Sequence, residues 1–118
     1  MFTTAGKNEI RNWLYGSAST APNAIAIGIG TTSVAVSQTA LVTESTRKSF
    51  STKSIAPQVV KFEALLLTTE LTTSTIAEMG LFNSTTSTSG TMFVRNTFAP
   101  IQKTDSIEVQ FEQRVEVN

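Results

Sequence analysis

Nine acidic and nine basic side chains are the only charges on this 118-residue chain, which contains neither His nor Cys. Without imidazole, the commonest general base and the commonest metal ligand are missing. Without a thiol there is no Cys nucleophile, no thiolate metal site and no disulfide framework. Serine–histidine and cysteine–histidine mechanisms are therefore excluded, and carboxylate chemistry is what remains. Asp105 is the single Asp, while Glu108, Glu112 and Glu116 fall on the polar side of an alternating segment, as a solvated strand face requires. Glu44, Glu63, Glu70 and Glu78 lie inside or beside apolar runs. With Arg47, Lys61 or Arg95 as partners, they read as structural ion pairs. The expectation is a non-catalytic chain with no cofactor, no metal and no small-molecule substrate.

Other motifs carry less. Gly28-Ile29-Gly30 opens like a phosphate-binding loop, but no third Gly and no Lys-Ser or Lys-Thr pair follows at the right spacing, so it reads as a strand end. Asn83-Ser84-Thr85 fits a glycosylation acceptor, which means nothing without a secretory route. The aromatic residues are not interleaved with a basic stripe, and the formal charge is zero, so no field gathers nucleic acid or anionic lipid. Trp13 and Tyr15 are candidate assembly contacts, because large aromatics are enriched in interface cores. Docking of Trp13 from helix to sheet is the competing reading.

These residues need elements to position them. From Thr4 to Gly16 the apolar residues Ile10, Trp13 and Leu14 recur at helical spacing and Gly16 stands where a helix C-terminus favours one, predicting a helix over about 4–15. Such a helix is too short to stand alone and must dock its stripe. Ser17 to Asn23 reads as loop. Ala24 to Gly30 sets Ile25, Ile27 and Ile29 on one side and only Ala or Gly on the other, a strand whose thin face something approaches closely. Thr31 to Gln38 reads as loop and Thr39 to Glu44 as a helical turn. Five further strands are expected over about 47–55, 58–67, 75–82, 91–98 and 106–117. In the last, Ile107, Val109, Phe111, Val115 and Val117 alternate with polar residues and only Gln113 breaks the apolar row. Ser84 to Gly90 is a predicted hairpin tip. The sum is a mainly β fold, an antiparallel sandwich or open barrel with one short N-terminal helix, in one domain with its β part over about 24–118.

Composition agrees with that reading. The apolar fraction of 40% suffices for a core, whereas the charged fraction of 15% is well below the roughly 25% of ordinary soluble domains. Hydroxyls fill the surface instead: 20 Thr and 13 Ser, and Thr suits an exposed pleated strand. Balanced charge weakens the repulsion between copies, which predicts self-association. No apolar run is long enough to span a bilayer and the N-terminus lacks the basic start and apolar run of a secretion signal, so a soluble protein beginning near Met1, with no membrane partner, is expected.

The order of motifs resembles a known group. Gly6–Leu14 (GKNEIRNWL), Ala26–Thr32 (AIGIGTT) and Thr39-Ala40-Leu41 with Glu44 and Arg47 are similar to the start of small virion proteins of tailed bacteriophages. Val60–Ala64 (VKFEA), Ile76–Asn83 (IAEMGLFN), Gly90–Arg95 (GTMFVR) and Phe98–Thr104 (FAPIQKT) resemble the β domain of tail-collar-fibre-type appendage proteins. In that group an acidic residue before a Gly-Leu-Phe step and a Pro-x-x-Lys turn recur, here Glu78, Gly80, Leu81 and Phe82, then Pro100 and Lys103. The resemblance implies that these six specify the fold, Pro100 by ending a strand. It also implies a virion location after assembly in the host cytoplasm, with other virion proteins and copies of the chain as partners. An adaptor or appendage at the tail, baseplate or neck is the role expected, since no fibre shaft follows within the 118 residues. A capsid decoration protein and a glycan-binding module are the alternatives.

Overall fold

The computed structural model describes residues 1–17 and 20–117, and it is mainly β, with two antiparallel sheets and one helix. Helix α1 spans Thr4–Tyr15 and is capped at both ends by the residues flanking it. The Thr3 hydroxyl accepts the Gly6 N–H at 2.9 Å, and Gly16 takes a left-handed φ of 98° while its N–H reaches back to the Asn12 and Trp13 carbonyls. The helix docks through Gly6, where a Cβ would stand 2.6 Å from the Phe93 Cα, and through Trp13, whose ring stacks on Phe93 at 5.6 Å.

Seven strands follow: β1 Ala24–Gly28, β2 Glu44–Ser49, β3 Thr52–Ala56, β4 Val59–Leu66, β5 Thr75–Phe82, β6 Met92–Gln102 and β7 Val109–Glu116. One sheet has the order β2-β1-β5-β6 and the other β3-β4-β7. Alternation decides what lies between them. Ile25 and Ile27 pair in register with Leu81 and Met79, so all four point the same way, onto Phe62, Ala64, Leu66 and Phe111 of the smaller sheet. Ala24, Ala26 and Gly28 face the opposite side, the thin face anticipated from sequence, and Leu41, Phe82 and Met92 pack there in a second cluster with Ala26.

Several boundaries differ from expectation for identifiable reasons. The single strand expected over 47–55 is two strands, because the chain turns at Phe50 and Ser51 from the larger sheet into the smaller. Phe50 rests on Phe62 at 4.8 Å, and the Ser51 N–H donates to Glu63 O across the corner. Residues 39–43 are bends, without a helical turn, because the N–H groups of Val42 and Thr43 are committed to the Glu78 carboxylate. Pro100 does not end its strand and Pro100 to Lys103 forms no turn, since β6 runs on to Gln102. Phe98, Ala99 and Pro100 bulge opposite Ala77 on a sheet edge, where a missing N–H breaks no ladder bond. In the helix, Leu14 is exposed: the contact line runs through Gly6, Ile10 and Trp13, and Leu14 lies one position beyond it. The loop reading of 17–23 covers residues 18 and 19, and the β part ends at 118; those three positions lie outside the described residues.

Candidate functional site

At its Gly28 end the thin face of β1 makes room for a polar side chain, since a Cβ there would stand 2.7 Å from Glu78 Oε2. Glu78 and Arg95, from neighbouring strands β5 and β6, are almost wholly buried and bonded at 3.0 Å. Glu78 Oε2 also accepts the Gly30 and Thr43 N–H groups, each at 2.8 Å, and Oε1 accepts Val42 N–H at 2.9 Å. Arg95 Nη1 donates onward to Thr32 O and Gln38 Oε1. Burial pushes the Glu78 carboxyl up, but the N–H groups of Thr43, Val42 and Gly30, together with Arg95, outweigh it and hold the group below the ordinary glutamate range. Four donors use the full accepting capacity of one carboxylate, so this Glu has no lone pair left for proton transfer. Its work is to pin the 29–43 loop across the sheet.

A second buried pair sits beside it. Arg47 and Glu44 form a two-pronged bond at 2.8 and 3.1 Å, and Arg47 Nη1 donates to Ser84 O and Ser89 O in the hairpin tip. The guanidinium carbon lies 3.8 Å above the Phe82 ring. Gly80 leaves room for this packing: a Cβ there would stand 2.9 Å from Phe82 Cε1 and 3.0 Å from Leu41 Cδ2. Lys103 is fully buried and forms no ion pair among the described residues, its Nζ donating to Thr68 O and Thr104 O and so closing the 67–74 connection. Lys48 joins Glu70 at 2.7 Å. Glu78, Gly80, Leu81, Phe82 and Lys103 are all buried, Leu81 in the core between the sheets, Glu78, Gly80 and Phe82 on the other face of β5 and Lys103 beyond its start, whereas Pro100 stands exposed at the edge.

The exposed groups are of a different kind. Tyr15 is 87% exposed at the end of α1, with Leu14 beside it, while Trp13 is half-buried against Phe93, so the two candidate contact residues do not form one surface. At the far end of the smaller sheet, β3 is exposed along its whole length. There Ile55 is 83% and Val117 68% exposed, beside half-buried Val60 and Val115. By register these belong to the face that, nearer the middle, holds Phe62, Ala64 and Phe111 in the core. Apolar surface therefore continues out of the core into solvent. Among the described residues no three metal-ligating side chains cluster, and no helix is long and apolar enough to cross a membrane. A shallow open groove between Ile29, Thr31, Ser74, Thr75, Ala77 and Pro100 contains no charged side chain.

No protein-family model, curated protein or solved structure matches the chain. The sequence held the ion pairs Glu44–Arg47, Glu63–Lys61 and Glu78–Arg95 among its combinations, and all three are present. It missed Lys48 as the partner of Glu70. It also missed the exposed end of the smaller sheet, because alternation reports which side chains share a face without reporting what covers that face.

Proposed function

We propose that the chain is a non-catalytic structural subunit of a tailed-phage particle, an oligomeric adaptor or appendage component at the tail, baseplate or neck. The observation that carries the assembly reading is the smaller sheet's apolar end, where Ile55 and Val117 leave surface continuous with the core open to contact. An isolated apolar side chain on a surface is ordinary, but a core face that runs on uncovered beyond the opposing sheet marks a place for another protein. The buried charges fit the same role: their hydrogen bonds hold loops and hairpin in one shape, as a repeated subunit requires. The phage assignment rests on the motif order from Gly6 to Thr104 that resembles tail-collar-fibre-type proteins.

The test is to image particles assembled with and without the chain. Density missing at the tail, baseplate or neck is the expected result. Density missing from the shell supports the decoration reading instead, and particles unchanged in composition and shape overturn the structural role.

A further inference from the structure

We propose that two copies of this chain pair through the free edge of β7, antiparallel about a two-fold axis at Gln113, joining two three-stranded sheets into one of six strands. This deepens the assembly reading and rests on it.

The four sheet edges are not equivalent. The β6 edge carries Pro100 and is bridged at Val94 by Phe2. The β2 and β3 edges each place a Lys on the inner face, Lys48 opposite Ile25 and Lys53 opposite Phe62. Prolines, covering segments and inward charges are the devices that keep sheet edges from pairing. Strand β7 has none of them, its inward polar residue being the neutral Gln113.

The backbone of β7 is set for such a pairing. Val117 N–H donates to Gln58 O, toward the neighbouring β4, so odd-numbered residues bond inward and the groups of Gln110, Glu112, Arg114 and Glu116 point to the open edge. Gln113 Nε2 donates to the Arg114 carbonyl, which keeps a second lone pair for a partner strand.

Charge then selects the register. Within one chain, β4 offers β7 the wrong signs: Glu63 stands opposite Glu112 and Lys61 opposite Arg114. Like charges directly opposite each other are destabilising. With the axis at Gln113, each Glu112 faces the other copy's Arg114, twice by symmetry. On the inner face Phe111 meets Val115, and Val109 meets the exposed Val117. Shifting the axis to Glu112 sets Glu against Glu, and shifting it to Arg114 sets Arg against Arg. A one-residue slip of pairing would oppose the two faces. An axis at Val115 also sets Arg114 against Glu116, and one at Phe111 sets it against Glu108, but neither gives Glu112 a cation to face; of these registers only the axis at Gln113 matches Glu112 with Arg114 while opposing Phe111 to Val115 and Val109 to Val117.

Sedimentation of the purified chain from micromolar to tens of micromolar concentration should show a monomer–dimer equilibrium. Glu112→Arg and Arg114→Glu should each weaken dimerisation about ten-fold or more, and the double exchange E112R/R114E should restore it. Each single change also gives β4 an opposite charge to face, so thermal stability of the monomer should hold, which separates pairing from folding. Gln113→Cys should form a disulfide dimer in this otherwise Cys-free chain, because facing residues that exchange no backbone bonds lie about 4.5 Å apart, within disulfide reach. A monomer at every concentration, single reversals without effect, a double exchange that fails to restore pairing, or cross-linking through Ser54→Cys on β3 in place of Gln113→Cys would each overturn the inference. A chain that stays monomeric in solution yet appears at the tail in imaged particles removes this pairing and leaves the structural role standing.

Discussion

The two sheets use the same charged side chains to opposite ends. In the larger sheet, Glu78, Arg95, Glu44 and Arg47 have buried side chains, and their charged atoms are bonded to named donors and acceptors, Arg95 Nη2 excepted. In the smaller sheet, Lys61, Glu63, Glu112 and Arg114 lie along one partly solvated face, where like charges stand opposite in register and opposite charges meet along a strand, as in Lys61–Glu63 and Arg114–Glu112, or on the Lys61–Glu112 diagonal. A buried charge fixes the shape of its own chain, because losing one partner strands the other. An exposed charge contributes little at home and remains available to a neighbour. The first region is the framework and the second is the surface it presents.

Breaking this contrast should have its largest effect at Glu78. Replacing it with Gln leaves the Arg95 guanidinium buried beside a neutral amide and removes the anchor of the 29–43 loop; a loss of about 3–5 kcal/mol in urea unfolding is expected. A loss below about 1 kcal/mol would mean that the pair does not hold the framework.

The pH dependence follows with its sign. Because the folded-state pKa of Glu78 lies below the unfolded value, its contribution is present above about pH 4.3, the unfolded glutamate value, and is lost as pH falls through the lower folded value. Urea midpoints measured from neutral pH downward should therefore fall steeply on the acid side, and less steeply in Glu78→Gln. Glu70, which Lys48 and the Leu67 N–H hold low against the upward push of burial, keeps a residual slope in that variant. Equal slopes in the two proteins would assign acid sensitivity elsewhere.

The smallest effect sharpens the comparison from the other side. Lys61→Ala removes a cation that bridges Glu63 at 3.1 Å and Glu112 at 3.9 Å, yet its side chain is a third exposed. Stability should change by no more than about 0.5 kcal/mol. A much larger loss would show that the smaller sheet, too, is held together by its charges.

Much of this architecture was legible in the residues. The alternation through Val109, Phe111 and Val115 and the bulky and thin faces of Ala24–Gly28 are period-2 signals that tertiary packing had no reason to override. The hairpin from Thr75 to Gln102 was marked by its Ser- and Thr-rich tip, and the helix by its capping residues. What was illegible lay where one local pattern serves two structures. The corner at Phe50 and Ser51 has no Gly or Pro to announce it, and strand-forming residues stand on both sides. Pro100 reads as a terminator because a ladder cannot use it, but an edge bulge asks nothing of its nitrogen. Which Glu takes which cation depends on topology, which spacing along the chain does not encode. The buried state of Lys103 carries no local signal at all.

Arg47 holds one more consequence. It grips the Ser84 and Ser89 carbonyls from 37 and 42 positions away in the chain, so the tip of the β5–β6 hairpin is finished by a strand made much earlier. Turns of this kind ordinarily close by themselves within microseconds. Here the last latch must wait for a long-range encounter, and folding acquires a late step set by the search of β2 for its place beside β1. Until that encounter succeeds, the amides of the tip stay open to exchange with solvent even where the rest of the hairpin has zipped.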